Sequence, residues 1–389
     1  MGISPTMGGR APVHLFVSSK SWIEGTATHQ LEQVAALPGI QAVAAMPDLH
    51  PGKYGPVGCS ILATHIHPQF VGSDIGCGMG LFALDVPARK LRLDRLADRL
   101  HALDHPWEGD TAAALAREQL AVTDFDASLG SIGGGNHFCE VQAIEEIFYP
   151  EMAKASGLEM GQACVLVHSG SRGLGFSILE RHLTSGTAAL DPATEEGRAY
   201  MAGHDHAVRW AKLNRRLIAE RAAVAAQTTL RPIADLAHNM VELTAAGLAL
   251  HRKGAAASDR GLVPVPGSRG TLSYLVEPLA ATRAETLASL AHGAGRKYDR
   301  ASMHGRIKSK KSDLERLARN PFGGLVVCED RDLMLEEAPE AYKSIERVIA
   351  DLVEFGLARV VASFRPLVTF KRAAKPERKQ AKTWKEDRR

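Results

Sequence analysis

The stretch that decides the fold is Val-Gly-Ser-Asp-Ile-Gly-Cys-Gly-Met-Gly, residues 71–80. Glycine at this density weakens helices and strands and permits positive φ, so the stretch predicts a tight, buried loop. The loop carries Asp74 and Cys77, a hard and a soft metal ligand three positions apart. A structural glycine-rich turn with a buried free cysteine would have the same sequence pattern. The rest of the chain is therefore needed to distinguish a metal site from a structural turn.

Composition predicts a globular, reducing-compartment protein. The 389 residues allow one large domain or two to three smaller ones, and 45% hydrophobic residues support a sizeable core. The five cysteines are odd in number and widely spread, which predicts free thiols and a cytoplasmic location. The N-terminus has no apolar signal core, and no apolar run reaches the ~20 residues of a membrane span, so no membrane partner is expected.

The charge is uneven along the chain. The net charge is +3, yet residues 372–389 alone carry eight Lys or Arg and three acidic residues, so the rest of the chain is slightly acidic. This basic tail has no apolar periodicity and is expected to be disordered. It indicates either a polyanionic partner or a solvated end, and composition does not choose between them.

Hydrophobic patterning predicts short helices interspersed with short strands. We find no internal repeat and no Pro/Ser-rich linker, so a single α+β domain is the simplest prediction. The principal helices are expected at 28–37, 91–104, 200–226, 284–290 and 339–355, and the principal strands at 41–46, 57–63, 80–86, 163–167 and 358–364.

Four histidines lie beside glycines or at the ends of apolar strands: His137, His168, His238 and His292. Loops at the ends of strands are where a protein scaffold usually carries its functional groups. The chain has no C-x-x-C and no H-x-x-x-H, so its ligand spacing is not that of a zinc finger. A site assembled from distant segments fits better, and ligand softness alone would favour zinc.

Eight motifs, in order along about residues 40–371, resemble those of the RtcB family of RNA ligases. The motifs are MPDLHPGK at 46–53, DIGCGM at 74–79, GNHF at 135–138 with Glu140, HSGSRG at 168–173, HN at 238–239, RKGA at 252–255, PGSRG at 266–270 and HGAGR at 292–296. The resemblance implies an α+β ligase domain over residues 1–371, with mixed β-sheets flanked by helices around a central dinuclear metal site, followed by the tail at 372–389.

The resemblance implies a GTP- and manganese-dependent RNA ligase. Such an enzyme joins a 3′-phosphate or 2′,3′-cyclic phosphate RNA end to a 5′-hydroxyl end, in RNA repair or tRNA splicing. It implies a histidine–GMP intermediate on His292 and an RNA 3′ end activated by GMP. It also implies two Mn²⁺ ions sharing Cys77, one held with Asp74 and His137 and the other with His168 and His238. Implied protein partners are an archease-type activator and a release-factor homologue.

The same resemblance implies the surrounding contacts. Those to the nucleotide would come from Asn136, Glu140, His238, Ser268, Ser273, Gly293, Ala294, Gly295, Tyr342 and Lys371. Those to RNA or phosphate would come from Asp48, Arg172, Arg252, Lys253, Arg296 and Arg300.

Two features depart from the family's pattern. Lys297-Tyr298-Asp299 replaces the usual apolar-Met-Ser after the nucleophile, and the chain continues past Lys371. Its shortness resembles the branch associated with a release-factor homologue and damaged RNA. Two other functions stay open: a metal-dependent cyclic-phosphate hydrolase, and a retired ligase that only binds RNA.

Overall fold

The computed structural model describes residues 10–279, 284–307 and 311–372, and it confirms the α+β class. In this part of the chain the strands are β1 Val13–Leu15, β2 Ile40–His50, β3 Val57–Ala63, β4 Gly78–Pro87, β5 Phe138–Ile147, β6 Gln162–Ser169, β7 Leu230–Ala237, β8 Asn239–Leu243, β9 Ala249–Lys253, β10 Ala255–Ala257, β11 Val263–Val265, β12 Ser273–Pro278, β13 Ser289–Ala291, β14 Leu325–Cys328 and β15 Ala358–Arg372. The helices are α1 Gly25–Ala35, α2 Pro68–Val71, α3 Leu93–Leu100, α4 Thr111–Arg117, α5 Pro150–Ala155, α6 Gly173–Ser185, α7 Glu195–Ala225, α8 Arg300–Arg306, α9 Lys311–Leu317, α10 Arg331–Glu336 and α11 Ile345–Glu354.

The described strands form three sheets. The largest has the order β11-β12-β15-β5-β6-β4-β7, with β14 also paired to β15. A second has the order β1-β2-β3-β9-β8, and the third is the pair β10-β13. Two adjacent interior strands of the large sheet, β6 and β4, pack against the long helix α7. Most of β6 is apolar and fully buried, which is why it reads as a continuous hydrophobic run rather than an alternating one.

One end of the large sheet gathers the predicted metal ligands. Adjacent strands are antiparallel here, so the start of β4 pairs with the ends of both β6 and β7, through Gly78↔Ser169 and Gly78↔Ala237. The start of β5 pairs with the end of β6 through Phe138↔His168. Four neighbouring strands therefore present their loops, distant in sequence, at the same edge.

The glycine-rich loop is shorter than predicted. Residues 78–80, assigned to the loop from their glycines, belong to β4. A side chain at Gly78 would place its Cβ 2.4 Å from the Leu236 carbonyl oxygen, so glycine here allows close strand packing rather than a turn.

The predicted helix at 284–290 is wrong. A 3₁₀ turn at Ala284–Thr286 leads into β13, because antiparallel pairing with β10 overrides the local helical pattern. The predicted helix at 339–355 is shorter than expected, a 3₁₀ turn at Pro339–Ala341 followed by α11.

Two strands are much longer than predicted. The 41–46 strand is part of β2, which reaches His50 through an irregularity in its pairing with β3: Ala45 pairs with Cys59, and the next pair is His50 with Val57. The intervening residues, including Asp48, bulge from the ladder. The 358–364 strand is part of β15, which continues to Arg372 and so carries Lys371. The tail predicted at 372–389 lies outside the described residues apart from Arg372.

Within the described ranges, no helix combines the length and the apolar character needed to traverse a lipid bilayer.

Candidate metal centre and nucleotide pocket

Five predicted metal ligands meet at the gathered strand ends. They form two groups of three, Cys77 with His168 and His238, and Asp74 with Cys77 and His137. Within each group the ligand atoms all lie within 4.8 Å of one another. Cys77 belongs to both groups, so its sulfur sits between two sets of donors.

Backbone carbonyls orient two of the imidazoles. The Nδ1 of His137 lies 3.1 Å from the Ile132 oxygen, and the Nδ1 of His168 lies 3.2 Å from the Asn136 oxygen. When Nδ1 donates its proton to these carbonyls, the lone pair of Nε2 is directed at Cys77 Sγ, at 3.5 Å and 3.1 Å. Such outer contacts fix the tautomer that a metal ligand needs.

The electrostatics favour neutral His168 and His238 rings and a protonated Cys77 thiol in the absence of a cation. Burial and the neighbouring rings lower the pKa of His168 and His238 well below the ordinary value. Burial, reinforced by Asp74, raises the pKa of the Cys77 thiol well above its ordinary value. A divalent cation among these donors would reverse the preference of the thiol, because a ligating sulfur is deprotonated. One thiolate, one carboxylate and three imidazoles fit a pair of divalent transition-metal ions.

Glycine allows the Asp74 carboxylate to reach this cluster. A Cβ added at Gly170 would lie 2.2 Å from Asp74 Oδ1, so a side chain there would displace the carboxylate. The other oxygen, Oδ2, is 2.8 Å from His137 Nε2. Burial alone would raise the pKa of Asp74, but the His137 ring outweighs it and the pKa is lowered.

Two buried polar residues of α7 hold the loops, and sequence reasoning missed both. Arg215 donates to the carbonyls of Gly76 and Ser169, at 2.7 Å and 2.9 Å, while its Nε pairs with Asp235. Asn214 accepts from the Gly130 amide at 2.7 Å and donates to Ser169 Oγ. No local pattern marks them, because only the folded chain shows that Arg215 is buried and that its charge therefore requires partners.

The candidate nucleophile, His292, stands between the metal-ligand cluster and a pocket. It directly follows β13, and its ring centroid lies 4.6 Å from that of His238. Asp48 Oδ2 lies 2.6 Å from His292 Nδ1 and also accepts from the His292 amide at 3.0 Å. The bulge in β2 therefore delivers a carboxylate that holds Nδ1–H and leaves Nε2 with a free lone pair.

The pocket beside His292 collects most of the predicted nucleotide contacts. The pocket is lined by eight of the predicted nucleotide contacts: Asn136, Glu140, Ser268, Gly293, Ala294, Gly295, Tyr342 and Lys371. Arg296, a predicted phosphate contact, also lines the pocket. At Gly295, where φ is +71°, a Cβ would come within 2.1 Å of the Asp48 carbonyl oxygen, so glycine is required there. His238 and Ser273 do not line it. His238 is among the candidate metal donors instead. Ser273 is buried outside the pocket, where its hydroxyl accepts a hydrogen bond from Gln142.

Glu140 is a buried carboxylate at the inner end of the pocket. It accepts hydrogen bonds from Thr369 Oγ1 at 2.5 Å and from Gln142 Nε2 at 2.7 Å. Burial raises its pKa to about 7, with these two bonds opposing the shift. Its charge state therefore changes near neutral pH.

A second buried carboxylate, Glu337, joins four predicted binding residues and was not predicted from the sequence. Its oxygens accept from Arg296 Nη1 at 3.0 Å, Arg300 Nε at 3.2 Å, Lys371 Nζ at 3.3 Å and the Tyr342 hydroxyl. Burial would raise the pKa of Glu337, but these cations outweigh it and lower the pKa to about 2. Three cations thus surround one carboxylate, so the cluster keeps a net positive charge beside the pocket.

The remaining predicted phosphate contacts differ in position. Arg172 lies at the metal edge, where its amide donates to Asp74 and its Nη1 to the Ile132 oxygen. Lys253 is half-buried beside the 72–77 loop and donates to the Val71 oxygen at 3.2 Å. The structure does not bring Arg252 to the pocket: it is fully buried, and its guanidinium contacts Glu242, Ser289 and the Ala288 oxygen.

Arg269 lines the pocket and was not singled out from the sequence. Its Nη2 donates to the Met334 oxygen at 2.7 Å, and its Nη1 has no hydrogen-bond partner among the described residues. The signal for it was its position in the glycine- and hydroxyl-containing loop at 266–270.

Comparison with known proteins identifies the family of this chain. The family model described as tRNA-splicing ligase RtcB matches residues 30–111 and 107–372. The chain is 44% identical to the RNA-splicing ligase RtcB2 of Escherichia coli, over 92% of this chain and 95% of that protein. It is 31% identical to the RNA-splicing ligase RtcB of Mycobacterium tuberculosis, over 87% and 99%, and 30% identical to the tRNA-splicing ligase RtcB of Nanoarchaeum equitans, over 92% and 95%. The resemblance drawn from the motifs is confirmed, and the chain belongs to the RtcB family.

Proposed function

We propose that this protein is a GTP- and manganese-dependent RNA ligase that joins 3′-phosphate or 2′,3′-cyclic phosphate ends to 5′-hydroxyl ends. The observation that carries the proposal is the position of His292. Its Nδ1 is held by Asp48, its ring lies beside His238 of the metal-ligand cluster, and it lines the pocket that collects the predicted nucleotide contacts.

The first step is attack of His292 Nε2 on the α-phosphate of GTP. A P–N bond forms, the bond to the β-phosphate oxygen breaks, and pyrophosphate leaves. Asp48 keeps the proton on Nδ1, so the attacking nitrogen is unprotonated, and it stabilises the positive charge that develops on the ring. Arg296 and Arg269 both line the pocket, and Arg269 Nη1, which has no hydrogen-bond partner among the described residues, would meet the triphosphate oxygens.

The next two steps transfer GMP and join the ends. An oxygen of the RNA 3′-phosphate attacks the phosphorus on His292, the P–N bond breaks, and the 3′ end becomes linked to GMP through a pyrophosphate. The 5′-hydroxyl then loses its proton as its oxygen attacks the RNA phosphorus, and GMP departs. Capping matters because oxide or hydroxide is a poor leaving group, whereas GMP is a good one. A cyclic end is first opened by water.

Glu140 would recognise the base. As a carboxylate it can accept from the two neighbouring N–H groups on the edge of guanine. Backbone N–H groups of residues 293–295 would approach the phosphate, where glycine leaves room.

The two donor groups that share Cys77 would hold two divalent transition-metal ions, which the family resemblance implies are Mn²⁺. When bound, the ions supply positive charge that offsets repulsion between phosphates. Asp74, His137, His168 and His238 complete the two groups.

The biological setting is inferred from the names of the relatives and from the cysteines. The relatives are named for RNA or tRNA splicing, and five free cysteines suit a reducing cytoplasm. We place the ligase in RNA repair or tRNA splicing. An archease-type activator and a release-factor homologue remain its candidate protein partners.

The test is incubation with α-labelled GTP and Mn²⁺, followed by addition of RNA with defined ends. We expect a protein–GMP adduct that is labile in acid and stable in alkali, and ligated product once RNA is added. The adduct should disappear in His292→Ala and persist in the control His29→Ala, whose side chain is exposed on α1. Opening of a 2′,3′-cyclic phosphate end to a phosphomonoester without labelled protein would favour the hydrolase, and RNA binding without either would favour the retired ligase.

A further inference from the structure

A second cleft lies directly behind the nucleotide pocket. Its lining includes Lys20, Trp22, Lys297, Lys343 and Arg347, together with Pro47. The site described above uses none of the five, and Pro47 immediately precedes Asp48. The cleft therefore adjoins the segment that holds His292.

The backbone explains why the pocket and the cleft are neighbours. Arg296 and Tyr342 form an isolated antiparallel bridge and both line the nucleotide pocket. Their successors, Lys297 and Lys343, line the cleft instead. Side chains alternate between the two faces of extended backbone, so one short bridge serves the pocket on one face and the cleft on the other.

The cleft carries unneutralised positive charge. Among the described residues, Lys20 and Lys297 have no carboxylate partner within ion-pair distance. Arg347 is paired with the buried Asp351 at 2.7 Å, which in turn accepts from Ser21. Lys343 donates to the carbonyls of Pro47 and Leu49, so it fixes the Asp48 segment while adding its charge.

Trp22 supplies a large apolar surface at the same place. It is 45% exposed, whereas Trp210 in the core is fully buried. The Lys343 ammonium lies 6.0 Å from the centre of its indole ring. An exposed aromatic ring among cations is the combination that binds single-stranded nucleic acid, since bases stack on the ring and phosphates meet the cations.

We propose that this cleft binds a single-stranded segment of the RNA substrate, a few nucleotides away from the reacting end. The proposal rests on the RNA ligase function and deepens it. It assigns a role to Lys297, where the chain departs from the family's apolar residue. A protein partner that uses Trp22 as an anchor is the competing occupant, and the experiment separates the two.

The test compares Trp22→Ala, Trp22→Phe and the double variant Lys20→Gln with Lys297→Gln. Matched controls are Phe148→Ala, which removes an aromatic residue of 47% exposure, and Lys90→Gln with Lys154→Gln, which removes two exposed charges elsewhere. Fluorescence anisotropy measures binding of a labelled 12-nucleotide RNA with a 3′-phosphate, over a range of salt concentrations. Labelling by GTP is measured on the same preparations.

Trp22→Ala should weaken RNA binding about fivefold or more, with Trp22→Phe close to the parent, because phenylalanine retains a stacking surface. The double lysine variant should reduce the salt slope by about 1.4, from about 0.7 for each lost phosphate contact. Guanylylation should not change in any of them.

Unchanged RNA affinity and salt slope in both cleft variants would overturn the proposal, and the protein-anchor alternative would then take its place. Failure of the parent protein to form the GMP adduct would instead refute the ligase function. The two failures are therefore distinguishable.

Discussion

At the scale of single residues, the metal-ligand cluster depends on the one sulfur atom shared by its two groups. Cys77→Ala should abolish binding of both ions and not just one, because each group loses its common donor. Metal content after dialysis, measured by elemental analysis, checks this. Cys164→Ala is the control, since Cys164 is equally buried in β6 but belongs to neither group. Retention of one ion per chain in Cys77→Ala would show that the sulfur is not shared.

Glu140 is expected to make the proposed guanine binding depend on pH. Its pKa is raised to about 7, so its carboxylate form is lost as the pH falls through neutrality. Only that form accepts both guanine N–H bonds, so affinity for guanosine should fall about tenfold from pH 8 to pH 6. Guanosine is the ligand of choice because it lacks a titrating phosphate. Calorimetry of the parent beside Glu140→Gln tests the assignment, and the variant should bind weakly with a nearly flat profile. The same pH dependence in both would move the titration to another group.

At the scale of elements, helix α7 contacts the loops that carry the metal ligands through Arg215. Arg215→Lys should lower metal affinity by about 10- to 100-fold, the usual cost of disturbing groups behind metal ligands, because a single ammonium cannot hold the Gly76 and Ser169 carbonyls and Asp235 in the same geometry. The adjacent Arg216→Lys is a close control, since Arg216 is half-exposed and pairs with Glu118 on the surface. Equal metal affinity in the two variants would mean that α7 does not organise the site.

The sequence predicted those site residues that lie in glycine-containing loops at strand ends. Asp74, Cys77 and the four histidines stood out because each follows or precedes an apolar strand next to glycine, a local pattern. Asp48 gave no such indication of its role, since a bulge in β2 turns it toward His292. Arg215 was hidden within a long amphipathic pattern, and Glu337 within an acidic surface-like segment. Their roles come from contacts between residues far apart in sequence, which no local pattern contains.

The elements that were predicted poorly have the same explanation. The 284–290 segment has helical character alone, but β10 was available to pair with its second half. Strand β15 was predicted only as far as residue 364, yet pairing with β5 and β14 extends it to Arg372. In both places a partner strand decides the structure.

At the scale of the whole molecule, Glu337 joins two distant parts of the chain: the segment from Arg296 to the start of α8, and the end of β15. Its pKa is lowered from 4.5 to about 2, so it stabilises the fold above about pH 4.5, and that contribution is lost as the pH falls toward 2. Glu337→Gln should lower the free energy of unfolding at pH 7 by about 3–5 kcal/mol, the cost of breaking a buried ion pair.

Urea denaturation from pH 7 to pH 3 measures both effects. The Glu337→Gln curve should be flatter below pH 4.5 than that of the parent. The neighbouring Glu336→Gln, at a more exposed position, should change stability by less than about 1 kcal/mol. A parent and a Glu337→Gln variant of equal stability would show that the cluster contributes nothing to the fold.

The path of β15 also bears on when the protein becomes competent during its synthesis. This strand follows every other described element along the chain, yet it supplies Thr369 and Lys371 to the pocket and pairs with β12, β5 and β14. The donors around Cys77 are all translated earlier, by residue 238. On the ribosome, the metal ligands therefore emerge long before the wall that encloses the nucleotide. If the proposed ligands are correct, a nascent chain would meet metal ions before it could hold GTP.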